Sequence, residues 1–323
     1  MYVSAFLRAA RGEVAPRGDV VLAVLSDEEN GGDYGARFLT EEHPELFRGI
    51  RHAIGEAGAF SRTLAGRRFY PIQVAEKRMC WMTAVVRGPG GHAAQVHRGG
   101  TMARVATLLH DLERTRPPIH VTPVARAMIE SMARALPRGR REVMLALLKP
   151  RLADRALRLL GDEARTLESL LRNTVNATIV RGGEKINVIP SEIELELDGR
   201  LLPGFAPADL IRELHDRIGD DVEFEVVRHD EGPAAPDWTL FDTLAGVLRE
   251  LDPEGIPVPL LQAGVTDGRY FARIGIQTYG FMPMKLPPEF PLLRLPHAAD
   301  ERVPVAALEF GTDAVTRVLE RVT

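Results

Sequence analysis

From Trp81 to Val226 the apolar residues change period in a fixed order, and that order limits the folds open to this chain. Trp81 to Arg87 reads as a strand. Thr101 to Thr115 carries Met102, Val105, Leu108, Leu109 and Leu112 at helical spacing on one face. Val175, Ala177 and Ile179 alternate within Thr174 to Val180. Ile193, Leu195 and Leu197 alternate with Glu194, Glu196 and Asp198, the pattern of a half-solvated strand. Pro207 opens a helix with Leu210, Ile211, Leu214 and Ile218 inward and Gly219 as its stop. Val222, Phe224 and Val226 alternate again. Strand, helix, strand, strand, helix, strand is the ferredoxin-like, split βαβ order. A helical insertion rich in Ala, Leu, Met and Arg, roughly Thr122 to Leu171, interrupts it.

The flanks read as α/β. Met1 to Arg11 forms a short amphipathic helix. The continuous apolar run Val20 to Leu25 predicts a strand buried on both faces, as in a parallel sheet between helices. Gly35 to Leu39 opens a helix, and Arg51 to Ile54 is a second short strand. After Asp230, Leu240, Leu244, Val247 and Leu251 form a helix face, Ile276 to Phe281 a strand, and Pro304 opens a final helix. The expected organisation is a larger α/β domain, residues 1–75 and 231–323, holding an inserted domain, residues 76–230. With 323 residues, two cores are expected rather than one.

The formal net charge of -4 gives no electrostatic reason to expect nucleic acid or an anionic membrane as partner. No apolar run reaches the length of a membrane span. Cys80 is the single cysteine, so thiolate zinc sites and internal disulfides are excluded, and a reducing cytoplasm fits.

Ser26-Asp27-Glu28-Glu29-Asn30-Gly31-Gly32 is the most informative segment. Consecutive carboxylates repel unless water or a cation separates them. Metal-assisted hydrolysis uses carboxylates in two ways, to hold a metal and to take a proton from its water. Glu56, inside Gly55-Glu56-Ala57-Gly58, and His297, in a loop before the last helix, extend the group to the mixed N/O set that Zn2+ accepts. Gly88-Pro89-Gly90-Gly91-His92 lacks the spacing and lysine of a phosphate loop and instead presents His92 on a tight turn. Gly264 to Arg269 is a second Gly-flanked polar turn.

In this order, the segments Ser26–Gly32, Gly88–His92, Asn187-Val188-Ile189-Pro190 with Arg200, Gly264–Arg269 and Pro296–Val303 resemble the M20 metallopeptidases, a family of glutamate carboxypeptidases, aminoacylases and succinyl-diaminopimelate desuccinylase. The resemblance covers the chain apart from the helical insertion. It implies a parallel-sheet zinc-peptidase catalytic domain with an inserted ferredoxin-like dimerisation domain, two zinc ions per subunit, and a homodimer. It implies Glu28 as general base, Glu29 and His297 as ligands of one zinc, and Glu56 as ligand of the other. His92 would reach the partner subunit's site and stabilise the oxyanion. Asn187 would line the substrate site, Arg200 would pair with a substrate carboxylate, and Gly264 and Thr266 would line the pocket. The substrate would be a dipeptide or an N-acyl amino acid.

The chain departs from the family's pattern at its start. No His-x-Asp segment and no Gly-flanked bridging aspartate precede Glu28. The catalytic domain is therefore expected to be N-terminally incomplete, with its metal site short of ligands. Two readings stay open: an M20-type hydrolase crippled in this chain, or a non-catalytic dimerising or binding module derived from one.

Overall fold

The computed structural model describes residues 1–161 and 164–322. The chain opens with α1 (Tyr2–Ala10) and reaches α2 (Phe38–Glu42) after an irregular stretch. β1 (His52–Gly55), β2 (Arg62–Leu64), β3 (Arg67–Glu76), β4 (Arg78–Arg87), the short β5 (Gly91–His92) and α3 (Thr101–Arg114) follow. The insertion folds as α4 (Pro123–Ala135), α5 (Arg140–Ala146), α6 (Pro150–Leu160) and α7 (Ala164–Ser169). β6 (Thr174–Arg181), β7 (Val188–Ile189), β8 (Glu192–Leu201), α8 (Pro207–Ile218) and β9 (Glu223–His229) come next. The chain ends with α9 (Phe241–Leu251), β10 (Ile256–Gln262), α10 (Gly268–Arg273), β11 (Gln277–Gly280) and α11 (Val305–Leu319).

The alternation in the middle of the chain produces an antiparallel sheet of order β6-β8-β4-β9, the split βαβ arrangement. Met82, Ala84, Leu195 and Leu197 on its inner face pack against Val105 and Leu108 of α3 and Leu210 and Leu214 of α8. Three expected inward residues lie outside that core. Met102 is exposed, so the buried stripe of α3 begins at Val105. Ile179 is exposed because the β6–β8 register slips between Ala177 and Ile179, which turns Ile179 to the other face. Val226 sits beside a second slip, in the β4–β9 pairing, and is also exposed.

The larger sheet runs β1-β11-β3-β10, with β2 beside the first part of β3. β1 pairs parallel with β11, and β10 parallel with β3, whereas β11 meets β3 antiparallel. The sheet is thus mixed rather than wholly parallel. β2 and β3 form a hairpin whose turn, Ala65-Gly66, has φ of 51° and 73°, as a type I′ turn requires. The sequence reading found neither β3 nor β10. Both contain proline, Pro71 in β3 and Pro257 and Pro259 in β10, which argues against a strand from sequence. β10 tolerates its prolines because it lies at the sheet edge.

The insertion belongs by packing to the larger core. Val124, Met128 and Ile129 of α4, with Leu147 and Leu157 beyond it, bury against Tyr70 and Ile72 of β3 and Val258 of β10. Helix α4 thereby lies over an edge strand that would otherwise be open to pairing.

The run Val20 to Leu25 is not a strand. It is irregular, with Val21 57% and Val24 80% exposed. The reason is the lack of a neighbour: β1, at this end of the sheet, pairs with β11 alone. An apolar extended run becomes a buried strand only where its backbone groups find partners. The helix expected near Gly35 does form, entered through one wide π turn over Asp33–Arg37.

Two buried charges anchor the fold. Asp252, at the end of α9, accepts hydrogen bonds from Tyr70 (2.8 Å), Arg68 (2.7 Å) and Lys285 (3.2 Å). Replacing it by alanine strands those donors, and Asp252→Ala is expected to lower the unfolding free energy by ~3 kcal/mol in denaturant titration. Lys77, only 1% exposed, donates to the Arg172 carbonyl (3.0 Å) and to Thr174 Oγ1 (2.8 Å). Burial, with Arg200 adding to it, pushes its ammonium down to about 7 from 10.5. The unfolded chain then binds the extra proton between those values, so stability rises with pH there and the full penalty stands below about 7. Lys77→Met removes that slope. Wild type should gain on the variant from pH 7 towards pH 10 in unfolding titrations, and a constant difference would refute the assignment.

Candidate active site

The acidic segment is held by its own backbone. Asp27, Gly31 and Gly32 all have positive φ, which bends the chain into a tight loop around a 3-10 turn, Glu28–Asn30. Asp27 Oδ2 accepts the Tyr34 amide at 2.9 Å and Oδ1 accepts Ser26 Oγ at 3.3 Å. Gly35 has no alternative, since a Cβ there would lie 2.3 Å from the Ser26 carbonyl oxygen. Asp27 is therefore spent on the loop, whereas Glu28 and Glu29 are presented by it.

Two carboxyl groups converge on Glu28. Glu56, immediately after β1, lies beside Glu28; partial burial and then the Glu28 charge push its carboxyl up to about 7. Asp267, at the start of α10, is raised to about 6 by burial and then by Glu28. Its buried Oδ1 has no hydrogen-bond partner. The Gly264–Arg269 turn was legible in sequence, but nothing there marked the aspartate within it. Glu29 points elsewhere and approaches His297 at 3.7 Å, with both side chains about three-quarters exposed (76% and 74%).

The expected metal ligands keep the division that the resemblance implies. Glu29 and His297 form one pair, while Glu56 turns to Glu28. Among the described residues no three His, Cys, Asp or Glu side chains form a group able to hold a metal ion. The crowded carboxyl groups suit a cation electrostatically, but the residues present do not make the two-zinc site that the resemblance implies.

The loop is clamped from beneath. Arg269 Nη2 and Tyr270 Oη both donate to the Gly31 carbonyl, at 2.7 and 2.6 Å. Arg228, from β9 of the smaller sheet, donates to Tyr270 Oη (2.8 Å) and Asp33 (3.1 Å). Arg269 and Arg273 also lie over the buried Tyr270 ring, at 4.6 and 5.1 Å from its centroid. A residue of the smaller sheet therefore reaches the acidic loop, a link invisible in sequence because Arg228 and Asp33 are so far apart in the chain.

His92 and Asn187 are brought together: β5 and β7 pair His92 with Val188, and the Ala93 amide donates to the Asn187 carbonyl at 3.1 Å. His92 Nδ1 accepts the Ala94 amide at 3.1 Å, which leaves Nε2 as the outward nitrogen. No hydrogen bond or ion pair among the described residues joins His92 to Glu28 within the chain. Arg200 is engaged by Asp198 through two hydrogen bonds of 2.7 and 2.9 Å. That pairing runs along the strand rather than across to a neighbouring glutamate, and a substrate carboxylate would have to displace it. Thr266 is buried, its amide and hydroxyl both donating to Glu76 at 2.9 Å. It holds Glu76 rather than facing an open pocket. At Gly264 a Cβ would meet only Gln262, at 3.8 Å, so space does not dictate that glycine.

A mixed α/β core with an antiparallel sheet beside it and a carboxylate loop clamped between the two defines the class of the M20-type hydrolases. The family model described as Peptidase family M20/M25/M40 matches residues 1–321, and the chain belongs to that family. It is 25% identical over 316 residues to a probable carboxypeptidase S-like 2 of Dictyostelium discoideum, covering 90% of this chain and 56% of that one. It is 27% identical over 311 residues to the N-fatty-acyl-amino acid synthase/hydrolase PM20D1 of Bos taurus, covering 91% and 59%. The fold matches the M20 family metallo-carboxypeptidase Sso-CP2 of Sulfolobus solfataricus with a TM-score of 0.53 at 15% identity, covering 91% and 68%. The chain thus spans little more than half the length of these two curated relatives.

The clamp predicts that Tyr270→Phe, which removes one buried donor worth about 1 kcal/mol, speeds amide exchange in residues 27–35 roughly fivefold. Hydrogen exchange unchanged in that loop would show that Gly31 is held by Arg269 alone.

Proposed function

We propose that this chain carries the machinery of an M20-type amide hydrolase for small carboxylate-bearing substrates, dipeptides or N-acyl amino acids, and that in the chain as it stands the reaction is crippled at the metal site. Membership of the family supports the reaction class. The carrying observation is the acidic loop, which presents Glu28 beside Glu56 and Asp267 and Glu29 beside His297. Glu28 takes the proton of a water attacking the amide carbonyl and returns it to the leaving amine. His92 supplies a donor to the oxyanion through its outward Nε2, delivered from a partner subunit. Asn187 lies beside it. Arg200 receives the substrate carboxylate by exchanging it for Asp198.

Residues 1–75 with 231–323 form the catalytic domain in this reading and 76–230 the dimerisation domain, whose helical insertion packs on the larger core. Edge strand β6, with Ile179 and Val180 exposed, offers the surface for a homodimer. Among the described residues no helix is long and apolar enough to cross a membrane. The single buried thiol, Cys80, suits a cytoplasmic protein.

A second reading is a non-catalytic dimerising or binding module. Metal analysis and turnover assays on the purified chain separate the two. Zinc well below two per chain after dialysis is expected, with little or no turnover of dipeptides and N-acyl amino acids. Two tightly held zinc ions would overturn the crippled site. Any residual turnover should fall at least ~100-fold in Glu28→Gln. Residual turnover indifferent to that substitution removes Glu28 from its role; turnover that rises when zinc is supplied in excess supports the crippled hydrolase, and none at any zinc concentration supports the binding module.

A further inference from the structure

The formal net charge of -4 conceals a sharp division of charge along the chain. Residues 122–160, the helical insertion up to the end of α6, hold nine Lys or Arg against three Asp or Glu, an excess of six positive charges. The rest of the chain is correspondingly acidic. Arg138 and Arg140 are exposed at the start of α5, and Lys149 just before α6. An electrostatic argument from net charge therefore holds for the molecule as a whole and fails for this part of its surface.

Helix α6 gathers that charge on one face. Its inner side is fixed by Ala153, Ala156 and Leu157, all buried. Arg151, Arg155 and Arg158, spaced four and three apart, fall on a single outward stripe. Leu152 and Leu159, seven apart, run beside it on the same arc and are 44% and 68% exposed. Asp154, the one acid of the helix, does not neutralise the stripe, because Arg116 (3.3 Å) and Arg172 engage it. Among the described residues Arg151, Arg155 and Arg158 form no ion pair. Arginines alone would make an ordinary solvated face. Two leucines bordering three unpaired guanidiniums supply what a charged lipid surface selects: cations at headgroup depth and apolar side chains just below them. A nucleic acid would use the same cations but offers nothing to the leucines, and residues 122–160 contain no aromatic side chain on which a base could stack.

We propose that the outward face of α6 docks the protein peripherally on an anionic phospholipid membrane, with Arg151, Arg155 and Arg158 against the headgroups and Leu152 and Leu159 entering the interface. The helix lies along the surface: its 11 residues are far short of a span. Ala156 and Leu157 pack into the larger core, so contact at α6 holds the whole molecule at the membrane rather than a loose tail. The proposal stands apart from catalysis, since binding needs neither metal nor turnover.

Vesicle co-sedimentation of the whole chain, with a metal chelator present, tests it. Phosphatidylcholine vesicles containing about one-third phosphatidylserine are expected to bind the chain, and pure phosphatidylcholine to leave it in solution. Raising salt from about 0.1 M to about 0.5 M should release most of it. Replacing Arg151, Arg155 and Arg158 together by Gln should weaken binding by roughly 100-fold. Leu152→Ser with Leu159→Ser should weaken it several-fold at unchanged charge. Arg17→Gln with Arg48→Gln, two exposed arginines elsewhere in the chain, should leave it unchanged. All these side chains are exposed, so far-UV circular dichroism should match wild type in every variant. The proposal is overturned if phosphatidylserine vesicles do not bind, or if pure phosphatidylcholine binds as well. It is equally overturned if the leucine pair is silent, if Arg17 and Arg48 matter as much as the α6 arginines, or if duplex DNA binds as tightly as the anionic vesicles.

Discussion

A single residue, Lys77, separates an interior strand of the larger sheet from an interior strand of the smaller one. β3 ends at Glu76 and β4 begins at Arg78. The joint cannot swing freely, because its side chain is buried and its amide donates to the Gln262 carbonyl at 2.9 Å. Glu76 on one side is tied to Thr266, and Arg78 on the other to Pro233. Both sheets therefore inherit their relative position from a few polar contacts at one crossing. Desolvating an amine costs a great deal, and a buried lysine persists only where its donors are used. Two acceptors, the Arg172 carbonyl and Thr174 Oγ1, serve that purpose, and they bring the start of β6 to the same place.

The acidic loop depends on that crossing. Its conformation is set locally by Asp27 and by glycines in the left-handed region, but its position is set by Arg269, Tyr270 and Arg228. Arg228 comes from the smaller sheet. A shift of that sheet would pull on Asp33 and, through Tyr270, on Gly31. Geometry at Glu28 and the relation of the two sheets are thus one mechanical problem, solved by hydrogen bonds to a single tyrosine.

Much of the smaller sheet was legible from alternation, because one solvated face leaves a clear period of two. Its errors fell at Ile179 and Val226, where bulges break the period without any mark in sequence. The larger sheet was less legible. Its central strand β3 and edge strand β10 carry prolines, and burial on both faces erases alternation. Val20 to Leu25 shows the opposite error: composition supplied an apolar run, but a strand needs a neighbour, and none is present beside it. At the site, Glu28, Glu29, Glu56 and His297 were found by residue type and order. Asp267 and Arg228 were not, because their meaning lies in three-dimensional neighbours.

Glu28, Glu56 and Asp267 crowd together, and such a group can relieve its repulsion in two ways, by binding a cation or by keeping a proton. Burial and then the Glu28 charge push the Glu56 carboxyl up to about 7, so the crowding favours its proton. A proton shared by two carboxyl groups draws them together into direct contact. A metal would draw the same oxygens around itself and bring ligands such as His297 inward. Glu29, beside His297, adds its charge to the same crowd, so the acidity of the site is concentrated on one cluster of carboxylates.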